Sequence, residues 1–115
     1  MEPEELYRRW IDELWAGRVE RVSELVADAF VGHWPDHDVH GPAQLAETIR
    51  QTHAMLAPLS FAIEVGPFAH GGLVAGRWRG HGRQDGAETT FLGNDILRVE
   101  DGRFVEYWVG SMVVT

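Results

Sequence analysis

The chain contains no cysteine. Structural disulfides, thiolate zinc sites, iron–sulfur clusters and cysteine nucleophiles are therefore excluded. The chain also lacks any apolar run approaching the roughly 20 residues of a membrane span. Its acidic first segment, MEPEELYRRW, has no apolar core of the kind found in signal peptides. From these absences we expect a cytoplasmic protein with no membrane partner.

Positive charge is scarce as well. The 115 residues carry 10 Lys and Arg against 18 Asp and Glu, which gives a formal net charge of −8. An acidic surface repels phosphate backbones, so we expect no nucleic-acid partner. No glycine run follows a phosphate-binding pattern, and no serine lies in a nucleophile elbow. We therefore expect the protein to work without a cofactor.

The apolar residues that are present suffice for one domain, residues 1–115, because 44% of the chain is hydrophobic. Apolar residues at three- and four-residue spacing predict a first helix over about 3–16. A shorter helix follows over 19–26, and a third begins at Gly41 and Pro42 and ends before Pro58. The stripe of the first helix consists of Leu6, Tyr7, Trp10, Ile11, Leu14 and Trp15.

After Pro58 the sequence becomes rich in β-branched and aromatic residues, which indicates strands. Three dipeptides predict hairpin turns between them: Gly71-Gly72, Asp85-Gly86 and Asp101-Gly102. Helices followed by a meander form an α+β pattern. We predict three helices packed on one face of a curved antiparallel sheet of four to six strands, with a pocket left inside the cone.

The last hairpin, GNDILRVEDGRFVEYWVG, contains an unusual strand residue. A two-residue turn at Asp101-Gly102 would pair Asp95 with Trp108, and side chains alternate between the faces of a strand. One face would then carry Asp95, Leu97, Val99, Phe104, Glu106 and Trp108. The other would carry Asn94, Ile96, Arg98, Val105, Tyr107 and Val109.

Asp95 is the exception on its face, because aspartate is depleted in strands and costly to bury without a partner. A carboxyl among apolar residues has a raised pKa, as acid–base catalysts do. The alternative is a structural role, in which Asp95 caps a bulge or pairs with an arginine.

Several segments together resemble the SnoaL-like polyketide cyclases of the nuclear-transport-factor-2-like superfamily. These are LWAGRVERVSELVADAFVGHWP, HGPAQLAETIRQTHAML, GHG and GNDILRVEDGRFVEYW, and they occur in the family's order. The resemblance implies a cone-shaped sheet with three helices enclosing a pocket. It also implies that Asp95 is the general acid/base and that His81 assists it. A simple turn at Asp85-Gly86 would point His81 away from Asp95, whereas a bulge near Gly80 or Gly82 would restore it.

The loop HWPDHDVHG allows two interpretations. Its five potential metal ligands are His33, Asp36, His37, Asp38 and His40. Adjacent ligands in a proline-containing loop are a poor template for zinc, so we predict no metal site. The resemblance instead places His33 at the pocket mouth, and Trp34 would close over it.

Four further residues are candidates for binding a substrate. Trp78 and Trp108 would form an apolar wall around Asp95, and the first helix would contribute Tyr7. His53 lies on the buried stripe of the third helix, where it is either a core histidine bonded to one neighbour or a polar group of the pocket.

The leading hypothesis for function is a cofactor-independent cyclase or isomerase that acts on a small, apolar, polyketide-like carbonyl compound. Asp95 would transfer a proton and His81 would bind the developing oxyanion. One alternative is an epoxide hydrolase, which needs two carboxylates and an arginine around a water. Another is a domain that binds a small hydrophobic or aromatic ligand without chemistry, or serves only in interactions.

The outer face of the sheet predicts a homodimer. In the register above, the residues Ile96, Val105, Tyr107 and Val109 lie there with Arg98. They would expose an apolar patch large enough to favour a two-fold partner.

Overall fold

The buried stripe of the first helix forms as the spacing predicts, but the second half of the helix is π-helical. In the computed structural model, which describes residues 1–114, α1 spans Pro3–Arg9 and continues directly into a π-helical turn at Trp10–Leu14. The Trp15 N–H donates to the Trp10 carbonyl at 3.0 Å, a bond across five residues. The stripe from Leu6 to Trp15 is the largest block of the hydrophobic core.

The other two helices cover the rest of the same face. A single 3₁₀ turn at Val19–Arg21 precedes α2, Val22–Leu25, and α3 spans Gly41–Leu56 with a proline in its first turn. Among residues 1–114, no helix is long and apolar enough to cross a membrane.

Six strands form one sheet with the order β2-β1-β6-β5-β4-β3. Their bounds are β1 Val26–His33, β2 Asp38–His40, β3 Ser60–His70, β4 Leu73–Gln84, β5 Ala87–Glu100 and β6 Arg103–Val113. The sheet is curved and unclosed, and the predicted fold of three helices on such a sheet is confirmed. The sheet differs from the predicted antiparallel sheet in one respect. Strand β1 runs parallel to β6, so the sheet is mixed. The chain between these two strands includes α3, which supplies the crossover that a parallel pair requires.

The three predicted hairpin turns are present where the sequence places them. Residue pairs close directly around each dipeptide, and all six turn residues have positive φ, including Asp85 and Asp101 at 52°. Two successive left-handed residues match the twist of the flanking strands. The turns therefore fix where β4, β5 and β6 begin to pair.

The register of the last hairpin changes after its first pairs. Val99 pairs with Phe104, but Arg98 pairs with Glu106, so Val105 is an extra residue in β6. One extra residue reverses the faces of every side chain that follows it. The predicted pairing of Asp95 with Trp108 is therefore wrong, and Asp95 pairs with Val109.

As a result, Tyr107 and Val109 lie on the inner face with Asp95, and Glu106 and Trp108 lie on the outer face. The predicted outer patch loses Tyr107 and Val109, both of which line the interior cavity. Ile96 stays outside and is 46% exposed. The homodimer remains a prediction.

Glycines in the sheet leave room for aromatic side chains on its inner face. A Cβ atom on Gly76 would lie 2.6 Å from the Tyr7 ring, and one on Gly93 would collide with the indole of Trp78. Gly32 is covered in the same way by Trp34. On the helix-facing surface of the sheet, glycines thus provide the space that the large aromatic side chains occupy.

We expect Gly93→Ala to lower the free energy of unfolding by roughly 1–3 kcal/mol, because the added methyl group would displace the Trp78 ring from a packed position. Chemical denaturation measures this loss. Gly110→Ala is the matched control in the neighbouring strand, since a Cβ there meets no atom within 4 Å. Equal stability of the two variants would contradict the prediction.

Candidate active site

Asp95 lies in the middle of β5 with its side chain directed at the helices, and only 1% of its surface is exposed. Three donors from three different elements bind its carboxylate. The Tyr7 hydroxyl of α1 donates to Oδ2 at 3.0 Å. The Trp78 indole of β4 and the Tyr107 hydroxyl of β6 donate to Oδ1 at 3.0 and 2.8 Å. All three donors are neutral, and no salt bridge to Asp95 occurs within residues 1–114.

Burial dominates the charge state of this carboxyl. It raises the pKa of Asp95 to about 6, because the charged form is poorly solvated in the core. The hydrogen bonds from Trp78, Tyr107 and Tyr7 oppose this effect but are outweighed. Burial and the neighbouring Asp95 also raise the pKa of Tyr7 and Tyr107 well above 10, so both hydroxyls remain donors at neutral pH. Asp95 can therefore gain or lose a proton near neutrality.

A cavity of about 280 Å³ opens beside this carboxyl. Its wall is mainly aromatic and aliphatic, and Ile11 from the π-helical turn, Leu56 from α3 and Met112 from β6 contribute to it. Thr52 and Ser111 add hydroxyl groups. Among the described residues that line the cavity, Asp95 is the only one with a charged side chain. The site thus combines a buried proton-transfer group with an apolar space.

Three of the residues predicted from the sequence lie together here with Asp95. Trp78 both lines the cavity and donates to Asp95. Tyr7 donates to Asp95 from α1 but does not line the cavity. Trp34 lines the cavity and packs edge-on against Tyr107, with ring centroids 5.2 Å apart. Tyr7, Trp34, Trp78 and Asp95 are thus the predicted site residues that the structure brings together.

His81 lies outside the cavity, contrary to the expectation taken from the resemblance. Pairing between β4 and β5 runs without a shift from Leu73 to Gln84, so no bulge turns His81 inward. Its side chain is exposed on the outer face, and its Nδ1 lies 3.2 Å from Thr90 Oγ1. The simple turn at Asp85-Gly86 accounts for this position.

His33 and Trp108 also lie on the outer face, so neither lines the cavity. Along β1, Phe30 and Gly32 face inward, which directs His33 outward. Its Nε2 lies 2.7 Å from Glu106 Oε2 and its Nδ1 lies 3.0 Å from Asp38 Oδ1. These carboxylates raise the pKa of His33, with Glu106 as the larger cause.

Trp108 stacks on the His33 ring at a centroid distance of 5.8 Å, and the Arg98 guanidinium lies 5.7 Å from the Trp108 ring centroid. The extra residue in β6 is the reason that this tryptophan faces outward. The loop after His33 thus reaches the cavity through Trp34 alone. Within residues 1–114, no group of three or more His, Asp or Glu side chains is arranged to hold a metal ion.

His53 is a half-buried histidine bonded to one backbone carbonyl, which is closer to the first of the two alternatives. Its Nε2 lies 2.8 Å from the Trp15 carbonyl oxygen, at the end of the π-helical segment. It does not line the cavity. The bond joins α3 to the end of the first helical segment.

Tyr107 is the donor to Asp95 that sequence reasoning missed. The predicted register placed Glu106 on the inner face, where two carboxylates would repel each other in the core. A tyrosine at that position can donate a hydrogen bond and fill apolar space. The unfavourable placement of Glu106 was the available signal that β6 contains an extra residue.

Comparisons with known proteins identify the family and the fold of the chain. The family model of the SnoaL-like domain matches residues 7–107. A proposed SnoaL-like polyketide cyclase from Jannaschia sp. CCS1 is 18% identical, with a TM-score of 0.84 over 96% of this chain and 89% of that one. IdmH from Streptomyces antibioticus, a proposed polyketide cyclase, is 21% identical, with a TM-score of 0.81 over 96% and 92%. No curated protein sequence matches the chain. At these identities, the solved structures show the fold alone.

We expect Asp95→Asn to fold and to become more stable than the parent as pH rises. An asparagine can accept from Trp78 and Tyr107 and donate to the Tyr7 oxygen. Folding raises the pKa of Asp95 from 3.8 to about 6, so the parent loses stability across that window and stays at the lower level above it. The stability difference between variant and parent should grow by roughly 2–3 kcal/mol from pH 4 to pH 8.

Unfolding by urea at several pH values measures this difference. Asp12→Asn serves as the control, because that side chain is exposed and its replacement should give no such gain. If Asp95→Asn is strongly destabilising at every pH, Asp95 is a structural partner rather than a proton-transfer group.

We expect Tyr107→Phe to raise the pKa of Asp95 further, by about 1 to 2 pH units, because one donor to the carboxylate is lost while the ring remains. The carboxyl carbon shift of Asp95, followed by NMR against pH, reports this change. The adjacent Trp108→Phe changes an aromatic ring on the outer face and should leave the midpoint where it was. A shift of equal size in both variants would mean that the register described above is wrong.

Proposed function

The chain belongs to the SnoaL-like family, and on that premise we propose that it is an enzyme in which Asp95 transfers a proton on a small, largely apolar carbonyl compound. The match over residues 7–107 confirms the resemblance from which this hypothesis began. The observation that carries the proposal is a single buried carboxyl with a pKa of about 6, bound by neutral donors beside an apolar cavity. The product would be a cyclised or isomerised ring.

The first step is removal of a proton from the carbon next to the substrate carbonyl. The Asp95 carboxylate forms an O–H bond, the C–H electron pair forms a carbon–carbon double bond, and the carbonyl oxygen takes the negative charge. A carboxylate has about four acceptor positions, and three are occupied by donors. Among residues 1–114, Oδ2 accepts a hydrogen bond from Tyr7 alone, so it has a position left for the incoming proton.

The next requirement is stabilisation of the enolate oxygen. His81 is too far outside to serve, so that role passes to groups inside the cavity. When Asp95 becomes neutral, the hydroxyl of Tyr107, which lines the cavity, binds it less strongly and can turn toward the new anion. The raised pKa of Tyr107 keeps its hydroxyl protonated while it does so. The enolate carbon then attacks a second carbonyl, whose oxygen gains the C=O electron pair and takes the proton back from Asp95, or the enolate regains a proton from Asp95 at another carbon.

The aromatic wall supports this chemistry in two ways. It keeps Asp95 poorly solvated, which makes the carboxylate a stronger base than a surface aspartate. It also offers flat surfaces, including Trp34 and Trp78, for stacking of a ring. A cavity of about 280 Å³ lies near the lower end of ligand pockets, which run from about 300 Å³ upward, and so favours a small substrate.

An epoxide hydrolase is less well supported. That reaction needs a second carboxylate and an arginine near the nucleophilic water. Glu106 faces outward with Arg98, and the two lie across the sheet from the cavity. The binding of a small ligand without chemistry remains the main alternative, and native mass spectrometry for a co-purified molecule addresses it.

We expect the protein to catalyse exchange of α-protons for deuterium in small ketones such as 2-tetralone and in 1,3-diketones. The rate should rise with pH to a plateau, with a midpoint of about 6, because the base is the carboxylate form of Asp95. Asp95→Asn should lower the rate by at least about 100-fold. Proton NMR in deuterium oxide follows the exchange.

His81→Ala is the control, because this histidine lies outside the cavity and its loss should leave exchange unchanged. Absence of exchange across the whole panel, or an equal rate in Asp95→Asn, would count against proton transfer and favour the binding role.

A further inference from the structure

The cavity contains one negative charge and no positive one among its described lining residues. The hydrogen bonds to Asp95 come from neutral groups, so they stabilise the carboxylate without cancelling its charge. The chain as a whole is also strongly acidic, at −8. An anionic ligand would therefore enter against both the local and the long-range field.

The wall around this charge is aromatic on several sides. Trp15 lies on the helix side of the cavity and Trp34 on the loop side, and Phe61 and Trp78 stand at right angles to each other on β3 and β4. Tyr107 completes the wall from β6. Aromatic walls around a single carboxylate are a favourable environment for an organic cation, because the ring faces and the carboxylate all attract positive charge.

We propose that this cavity is a binding site for small aryl or alkyl ammonium ions, which occupy the space beside Asp95 with their apolar groups against the aromatic wall. This ligand class is distinct from the neutral carbonyl compounds of the proposed function, and its binding requires no proton transfer. Where both assignments hold, the cation competes with the substrate.

The charge on Asp95 gives the two ligand classes opposite pH dependences. A cation stabilises the carboxylate, so its affinity rises as Asp95 ionises. A neutral apolar ligand desolvates the carboxylate further and binds better when Asp95 is protonated. The titratable groups in contact with Asp95 are Tyr7 and Tyr107, and their raised pKa values keep both uncharged through this range.

Phenyltrimethylammonium and tert-butylbenzene test the proposal, because they have nearly the same shape and differ in charge. Binding is followed by tryptophan fluorescence at pH 5 and pH 8. At pH 8 we expect the cation to bind at least 10-fold more tightly than the hydrocarbon. Its affinity should fall at pH 5, and Asp95→Asn should abolish its advantage. Trp34→Leu removes a half-buried ring from the cavity wall and should weaken binding of the cation more than binding of the hydrocarbon.

Equal or tighter binding of tert-butylbenzene by the parent protein at pH 8 would overturn the proposal, as would no saturable binding of the cation at millimolar concentration. These measurements use the unsubstituted protein, so they decide the matter even if Asp95→Asn fails to fold. A lack of deuterium exchange in ketones leaves cation binding unaffected. The failure of one assignment is therefore separable from the failure of the other.

Discussion

A carboxylate inside a hydrophobic core must be bound by donors, and in this protein the donors come from three separate elements. Tyr7 reaches Asp95 from α1, Trp78 from β4 and Tyr107 from β6. A single buried group thus ties the first helix to two strands on either side of β5. The position of α1 over the sheet is set by this polar contact as well as by its apolar stripe, because a misplaced helix would leave a buried charge short of a donor.

The extra residue at Val105 makes this arrangement possible. Without it, Glu106 would lie on the inner face of the sheet with Asp95, and two carboxylates would share one apolar site at a large electrostatic cost. With it, Glu106 lies outside, where His33 and Arg98 approach its two oxygens. One insertion in β6 therefore supplies a donor to the interior and places the second carboxylate beside His33 and Arg98.

The parts of the fold that follow from local chemistry could be predicted from the sequence, and those that depend on packing could not. Positive φ at Asp85 and Asp101 is favoured by Asp-Gly pairs, and the stripe of α1 follows from residue spacing. Asp95 stood out because aspartate is rare in mid-strand. The extra residue at Val105 has no such local signature. Because the predicted register lacked this residue, it placed Trp108 on the inner face of the sheet and Tyr107 on the outer face, although β6 itself was correctly assigned as a strand.

Because the donors around Asp95 are neutral, they affect how easily its carboxyl changes protonation state. A guanidinium in place of Trp78 would hold the carboxyl as an anion and lower its pKa far below neutrality. Hydroxyl and indole donors lower the pKa less than burial raises it, which leaves the value at about 6. At neutral pH the group is then mostly ionised, yet little free energy separates its two protonation states. A base that must take a proton and later return it needs this balance, and its cost is the stability lost by burying the charge.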